Sequence, residues 1–170
     1  MKMIPLTQNK FSMVDDADFD WLSQYKWHAH WDGKSWRAVC SKWENGKTKK
    51  ILMHRLVMQP KEGELVDHRN HNSLDNQRHN LRNCSCQENN RNHKLRLKNK
   101  TSQYKGVCWF KPARLWVAQI TVNYKRICIG YFKDEIEAAR AYDEAALKYH
   151  GTYAFVNFSD PGAQITIKEL

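Results

Sequence analysis

The chain has 170 residues and a formal net charge of +10, with 28 Lys and Arg against 18 Asp and Glu. This excess favours a polyanionic partner, nucleic acid first and an acidic membrane second. No run of apolar residues reaches the roughly 18 that a membrane span needs, and the N-terminus shows no secretory signal. The five scattered cysteines indicate reduced intracellular thiols and not a disulfide framework.

Residues 1–60 are predicted to form a β-rich part with one short helix. Asp15 or Asp16 would cap a helix over residues 17–25, because an acceptor side chain satisfies free N–H groups at a helix start. Strands are predicted over residues 35–42 and 48–56. The Asn45-Gly46 pair between them indicates a hairpin, since both residues tolerate positive φ.

Residues 61–90 are polar and dense in Asn and His, which predicts a loop-rich site and not a core. Asp67 and His68 are adjacent, so on an extended strand their side chains point to opposite faces. Asp67 is then free to bind a metal while His68 faces a substrate. Asn80 and Asn89 would supply neutral oxygen ligands or orienting amides, a donor set that suits Mg²⁺.

A helix is predicted from residue 85 to residue 94. Ser85 and Glu88 form the S-x-x-E pattern of a capping box at its start, and Asn89 falls on this helix.

The stretch VDHRNHNSLDNQRHNLRNCSCQENN (residues 66–90), with ILMHRLVM (residues 51–58) as a preceding strand, resembles the HNH nuclease family in its HNN variant. The resemblance implies a ββα-metal fold around one Mg²⁺ or Mn²⁺ per active site. It implies that Asp67 and Asn89 are the metal ligands and His68 is the general base. Asn80 would hold the loop and the base in place.

Other interpretations of this region stay open. Cys84-x-Cys86 suggests zinc, but structural zinc sites use a second ligand pair that is missing nearby. His71 and His79 would be further ligands, phosphate contacts or solvated loop residues. His54 and Arg55, just before the site, are candidates for contact with DNA.

The positive charge is concentrated in one part of the chain. Residues 89–133 contain no Asp or Glu but eleven Lys or Arg, with aromatic residues between them. Such a segment favours a surface that approaches phosphates. Residues 91–102 are predicted to be a basic linker along the DNA backbone, the alternative being a plain flexible tether. Its candidate DNA contacts are Arg91, Lys94, Arg96 and Lys98.

Residues 103–158 are predicted to form three antiparallel strands packed on one helix. Trp116, Ala118 and Ile120 alternate onto one side of a strand, and Ile127 and Ile129 repeat the pattern. Asp134 and Glu137 mark an acidic helix start, and Gly151 marks its end. The side chains expected on the packed face of the helix are Ala138, Tyr142, Ala145 and Tyr149.

This region resembles the ethylene-response-factor (APETALA) type of plant DNA-binding domain. The matching pieces are Tyr104-Lys105-Gly106-Val107, Trp116-Val117-Ala118-Gln119-Ile120, Ile129-Gly130-Tyr131-Phe132 and the helix from Glu137 to Ala146, ending at Gly151 and Asn157-Phe158. The resemblance implies a sheet laid in the major groove of double-stranded DNA. Trp116 would pack beneath the sheet.

Alternation predicts which side chains lie on the exposed face of that sheet: Lys105, Cys108, Gln119, Thr121, Arg126 and Cys128. They would be flanked by Lys111, Arg114 and Lys125. Cys108 and Cys128 stand where the plant family usually has Arg and Trp, so the base preference of that family does not transfer.

Together these features predict an α+β chain: a β-rich N-terminal part (1–60), a ββα-metal nuclease core (51–92), the linker (91–102), the small sheet-and-helix domain (103–158) and a tail (159–170). The predicted function is a site-directed, metal-dependent DNA endonuclease of phage or intron homing type, nicking one strand as a monomer. It would work in the cytoplasm of a bacterial host, with no membrane and no obligatory protein partner. The alternatives are a DNA-binding regulator with an inactive nuclease segment and a restriction-type HNH nuclease.

Overall fold

The computed structural model describes residues 1–93 and 101–158, and the chain divides into two compact units, Met1–Asn89 and Asn90–Leu170. None of the helices described is long and apolar enough to cross a membrane. The predicted tail and part of the predicted linker lie outside the described residues, with the candidate contacts Lys94, Arg96 and Lys98.

The first unit is mostly β-structure with short helices. Its elements in chain order are β1 (Lys2–Pro5), β2 (Phe11–Val14), α1 (Asp16–Leu22), β3 (Trp27–Trp31), β4 (Trp36–Glu44), β5 (Lys47–Leu52), α2 (Met53–Met58), β6 (Leu65–His68), β7 (Leu81–Cys84) and α3 (Cys86–Asn92). β1 pairs with β2, β6 pairs with β7, and β3, β4 and β5 form an antiparallel meander. α3 runs past the boundary between the units.

The core of the first unit joins most of these elements. The most deeply buried apolar side chains of the unit are Val14, Leu22, Val39 and Met53. Met53 and Val57, four residues apart, bury the same side of α2. The predicted strand over residues 51–58 is therefore wrong from Met53 onward: a short apolar run does not distinguish a strand from a helix, and here the helical spacing is the one that is buried.

Two local predictions in this unit have different outcomes. The Asn45-Gly46 turn is confirmed, with φ of 51° and 75°. The predicted side-chain cap on α1 is wrong for Asp15, which stands at the cap position without such a bond. Its carboxylate instead accepts the backbone N–H of Arg78 at 2.8 Å, across 63 residues of sequence. A tertiary contact has taken the place of a local one.

The second unit holds the predicted sheet and helix. β8 (Val107–Phe110), β9 (Leu115–Val122) and β10 (Lys125–Phe132) form an antiparallel meander with β9 in the centre, followed by α4 (Glu135–His150) and a 3₁₀ turn (Gly151–Tyr153). Ala138, Ala139 and Ala146 are completely buried. Because these side chains are small, α4 lies close against the sheet.

The ends of α4 are as predicted. The Asp134 carboxylate accepts the N–H groups of Ile136 and Glu137 at 2.8 and 2.9 Å, which satisfies free donors at the helix start. Gly151 ends the helix with a φ of 54°. The predicted packed face is wrong at Tyr149, which is exposed; the buried face instead continues through Ala146 to His150.

The chain after α4 is fastened to the strand lead-in by one asparagine. The Asn157 amide accepts the N–H of Lys105 at 2.7 Å and donates to the Lys105 carbonyl at 3.1 Å. The Asp143 carboxylate on α4 in turn accepts the backbone and side-chain N–H groups of Asn157 at 2.8 to 2.9 Å. This clip fixes the segment that enters the sheet against the helix.

Candidate nucleic-acid interface

The sheet of the second unit has one face on α4 and one open face. Ala118 and Ile120 of β9 pack on the helix, so the residues between and beside them point away from it. The open face carries Cys108, Phe110, Leu115, Val117, Gln119, Thr121, Arg126, Cys128 and Tyr131.

One end of the open face is polar. Arg126 lies opposite Thr121, and Cys128 lies opposite Gln119. Arg126, Thr121 and Cys128 are exposed, while the Gln119 amide donates to the Cys108 sulfur at 3.4 Å. Alternation therefore placed these five side chains on the correct face. Whether they contact DNA is not tested by this placement and stays a prediction.

Two turns extend the positive charge beyond the face. Lys111 and Arg114 lie in the β8–β9 turn, where the Arg114 N–H donates to the Lys111 carbonyl at 3.2 Å. Lys125 follows the β9–β10 turn, and Tyr124 projects from that turn with 91% of its surface exposed. All three basic residues are exposed. Residues 89–133 contain no Asp or Glu, so no acidic side chain from this segment offsets the positive charge of the surface.

The other end of the open face is aromatic and was missed by the sequence analysis. Phe110 and Tyr131 lie with ring centroids 5.8 Å apart. A bulge between Cys128 and Gly130 shifts the register of β10, so Tyr131 lies opposite Val117 and Phe132 opposite Trp116. Simple alternation from Cys128 would have turned Phe132 outward. As predicted, Trp116 packs on the helix side of the sheet.

Lys105 was predicted on the exposed face and lies elsewhere. Its ammonium donates to the carbonyls of Arg91 and His93 at 2.6 and 2.7 Å and sits 5.0 Å from the Phe155 ring centroid. Burial lowers the pKa of Lys105 to about 8. The residue precedes β8, so strand alternation does not apply to it, and its role is internal. Arg91, whose carbonyl it binds, is half-buried on α3.

The first unit holds a buried polar cluster at the predicted nuclease site. Asp67 on β6 lies opposite Arg82 on β7, and its Oδ2 accepts from the guanidinium Nε and Nη2 at 2.9 and 2.6 Å. Both side chains are buried. The sequence analysis missed Arg82, since strand register decides which residue faces Asp67.

The ion pair bears on the predicted metal site. A guanidinium already lies against Oδ2 of Asp67, and the described residues contain no group of three or more His, Cys, Asp or Glu side chains placed to hold a metal. Asn89, the second predicted ligand, is half-buried on α3. This donor set does not fit a divalent cation as it stands. The assignment of Mg²⁺ or Mn²⁺ stays a prediction from the resemblance.

The two histidines of this cluster are buried. The His54 and His68 rings meet edge to face with centroids 5.1 Å apart. Burial, with a smaller contribution from the nearby His68 ring, lowers the pKa of His54 to about 3, and burial also lowers the pKa of His68. Only 4% of the surface of His54 is exposed, which leaves its ring little access to DNA, and the contact stays a prediction. Arg55 beside it is exposed and donates to the Glu64 carbonyl at 3.2 Å.

Asn80 and Asn76 tie the loop between β6 and β7 to the rest of the unit. The Asn80 side chain accepts the N–H of Asn70 at 3.0 Å and donates to the Asp75 carbonyl at 2.8 Å. The Asn76 amide lies 3.4 Å from His68 Nε2 and donates to the Ser12 hydroxyl at 2.7 Å. These hydrogen bonds satisfy the buried amides and give both residues a structural role. The catalytic roles assigned to His68 and Asn80 stay predictions.

The helix that carries Asn89 begins with the predicted capping box. The Glu88 carboxylate accepts the backbone N–H of Ser85 at 2.8 Å, and the Ser85 hydroxyl accepts the N–H of Glu88 at 3.2 Å. Helix α3 is shorter than predicted and ends at Asn92.

Comparison with known proteins identifies one part of the chain. Residues 102–152 match the AP2 domain family. The chain is 49% identical over 70 residues, 41% of its length, to an AP2/ERF and B3 domain-containing protein of Oryza sativa subsp. japonica, covering 18% of that protein. It is 39% identical over 61 residues, 36% of its length, to an AP2-like ethylene-responsive transcription factor of Arabidopsis thaliana, covering 13%. The chain thus spans less than a fifth of the length of these relatives.

These findings overturn the predicted nuclease. Residues 102–152 match the AP2 domain and the Arabidopsis relative is named as a transcription factor, so the predictions of an HNH endonuclease, homing or restriction, of phage or intron origin are wrong. The predicted α+β class with a ββα-metal fold is wrong as well. β6, β7 and α3 do follow one another, but Asp67 is bound to Arg82 and the chain is mostly β-structure. The alternative of a DNA-binding regulator fits better.

Proposed function

We propose, from the premise that residues 102–152 are an AP2 domain, that the chain is a non-enzymatic regulator that binds double-stranded DNA through the open face of β8, β9 and β10. The observation that carries the proposal is the division of this sheet. One face is covered by α4, and the other presents exposed polar side chains in a segment without a single acid. A face with this charge suits a polyanionic partner.

The chemistry of the open face suits the major groove. The groove admits β-structure, and its base edges accept hydrogen bonds from Arg at guanine and exchange them with Gln at adenine. Arg126 and Gln119 are the side chains of the face able to make these contacts. Lys111, Arg114 and Lys125 at the turns would bind phosphates, which fixes the position of the domain without reading sequence.

The side chains of the open face also predict a DNA target sequence different from that of the plant family. Two of its positions hold cysteines, Cys108 and Cys128, whose small thiols reach less far than Arg or Trp would. The aromatic pair Phe110 and Tyr131 adds apolar surface at the other end of the face, suited to contact with thymine methyl groups or sugars. We therefore expect a base preference set mainly by Arg126 and Gln119.

The relatives also bear on where the chain works. They are plant proteins named as transcription factors or as AP2/ERF proteins, which favours a compartment that holds chromosomal DNA, the nucleus in a eukaryotic cell. The predicted bacterial cytoplasm has no support from them.

Arg126→Ala is expected to weaken binding to the preferred duplex about 5- to 150-fold, the loss of one bidentate base contact. The duplex would first be selected from a random library with the full chain, and affinities measured by fluorescence anisotropy at fixed salt. Lys148→Ala is the matched control, because Lys148 is an exposed base on α4 and not on the open face. Equal affinities for the two variants would contradict the proposed face.

A further inference from the structure

The β4–β5 hairpin of the first unit continues well beyond the core. β4 is buried from Ala38 to Cys40, but every residue from 41 to 50 is exposed. The strands stay paired to the end, with Lys42 opposite Lys49 and Glu44 opposite Lys47. Residues 41–50 are called the basic ribbon below. The ribbon is a two-stranded projection with neither face packed.

The basic ribbon is costly to the fold by its composition. It contains four lysines, namely Lys42, Lys47, Lys49 and Lys50, and one acid, Glu44. Lys42 and Lys49 are directly opposite each other, a like-charge pair that destabilises a hairpin. Glu44 lies 3.8 and 3.5 Å from their ammonium groups, and exposed pairs of this kind contribute little. An anionic partner would turn this repulsion into binding energy.

One large apolar side chain is left in water on the same ribbon. Trp43 has 72% of its surface exposed and does not belong to the core cluster of the first unit. It lies between the lysines, opposite the small polar Thr48. A lysine-flanked exposed indole suits nucleic acid, because rings pack on sugars and bases while ammonium groups meet phosphates.

The dimensions favour duplex DNA. Paired strands lie about 4.8 Å apart, and the major groove, about 12 Å wide, admits a two-stranded β-ribbon. Because both faces of the ribbon are exposed, its side chains are able to reach the floor and the walls of the groove. A ribbon that lay on a membrane would need one continuous apolar face, and Trp43 alone does not make one.

We propose that the basic ribbon is a second contact with double-stranded DNA, separate from the AP2 sheet, with Lys47, Lys49 and Lys50 on phosphates and Trp43 packed in the groove. The inference shares with the proposed function only the identity of the partner. It predicts that the chain covers more DNA than its AP2 domain alone accounts for.

The test compares two triple variants of the full chain: Lys47→Gln with Lys49→Gln and Lys50→Gln, and a control with the same charge change at Lys26, Lys34 and Lys61. All six side chains are exposed in the first unit. We expect the ribbon variant to bind the selected duplex about 10- to 100-fold more weakly. The slope of log affinity against log salt should fall by about 3, since each phosphate contact contributes about 0.9.

A footprint with hydroxyl radicals separates this inference from the proposed function. The wild type should protect two tracts, one lost with Arg126→Ala and the other lost with the ribbon variant. Trp43→Ala should weaken the second tract without changing the salt slope, because no charge is removed. Loss of the second tract together with an intact first tract supports the ribbon. If Arg126→Ala has no effect and the ribbon variant does, the sheet assignment fails and the ribbon stands.

The inference is overturned if the ribbon variant and the control variant have the same footprint and the same salt slope while both keep the wild-type thermal transition. A chain that protects no duplex at all overturns both proposals. Binding of the ribbon to a protein or to anionic vesicles, with unchanged DNA affinity in the ribbon variant, also overturns it.

Discussion

Gly106→Ala is expected to destabilise the second unit by about 2–6 kcal/mol and to abolish DNA binding. Gly106 has a φ of +80°, and a Cβ there would lie 1.9 and 2.2 Å from ring carbons of Tyr142 on α4. Strained backbone costs about 1–3 kcal/mol, and forcing an atom into a packed core costs about 1–3 kcal/mol more. Tyr142 is buried and packs with Ile120 and Ala146, so a shift of its ring would disturb the core.

Hydrogen exchange of the full chain would measure this loss directly. Amides of β9 in the variant should exchange faster by the corresponding factor, because the Gly106 carbonyl accepts the N–H of Gln119 at 2.8 Å in the middle of that strand. Gly151→Ala is the control in the same unit: Gly151 has a φ of +54°, but a Cβ added there would meet nothing within 4 Å. It therefore carries the strain without the clash. Equal losses in the two variants would show that the Tyr142 approach contributes nothing.

Arg82→Met is expected to destabilise the first unit by about 3–5 kcal/mol, because it leaves the Asp67 carboxylate buried beside an apolar side chain. Urea unfolding followed by tryptophan fluorescence would measure the change. Arg69→Met, at an exposed position on the adjacent loop, should change the stability by no more than about 0.5 kcal/mol.

The double variant Asp67→Leu with Arg82→Met shows whether the stability lost in Arg82→Met comes from the broken ion pair or from altered packing. Replacing both partners by apolar side chains of similar volume should recover most of the stability lost in Arg82→Met. If the double variant is less stable than Arg82→Met alone, the pair is not the reason for the loss, and Asp67 has another structural role.

Local signals in the sequence predicted local structure well. The Asn45-Gly46 turn, the Ser85–Glu88 capping box and the Asp134 cap all follow from side chains acting within three residues of themselves. Alternation also placed Arg126 and Gln119 on the correct face. These features can be predicted without knowing which distant residues are in contact. The same holds for the AP2 resemblance, which rests on short sequence pieces along the whole domain.

What failed depended on long-range pairing or on single irregular residues. The pairing of β6 with β7 places Asp67 opposite Arg82, and the Asp15 carboxylate accepts the N–H of Arg78 and does not cap α1. The bulge after Cys128 places Tyr131 on the open face. The Lys105 ammonium binds the carbonyls of Arg91 and His93 and does not lie on that face. Motif spacing identifies side chains without their partners. The nuclease prediction rested on such spacing, and the ion pair and the comparisons then overturned it.

The most direct test of the central claim uses a thiol on the open face of the AP2 sheet. Cys128 is exposed and lies opposite Gln119, so alkylation of the full chain by a maleimide should be slowed at least about 10-fold by saturating selected duplex if DNA covers that face. Mass spectrometry of the peptide that contains Cys128 reports the rate, and anisotropy confirms saturation. Strong protection is the result we predict. An unchanged rate of Cys128 alkylation in the fully bound complex would contradict the account.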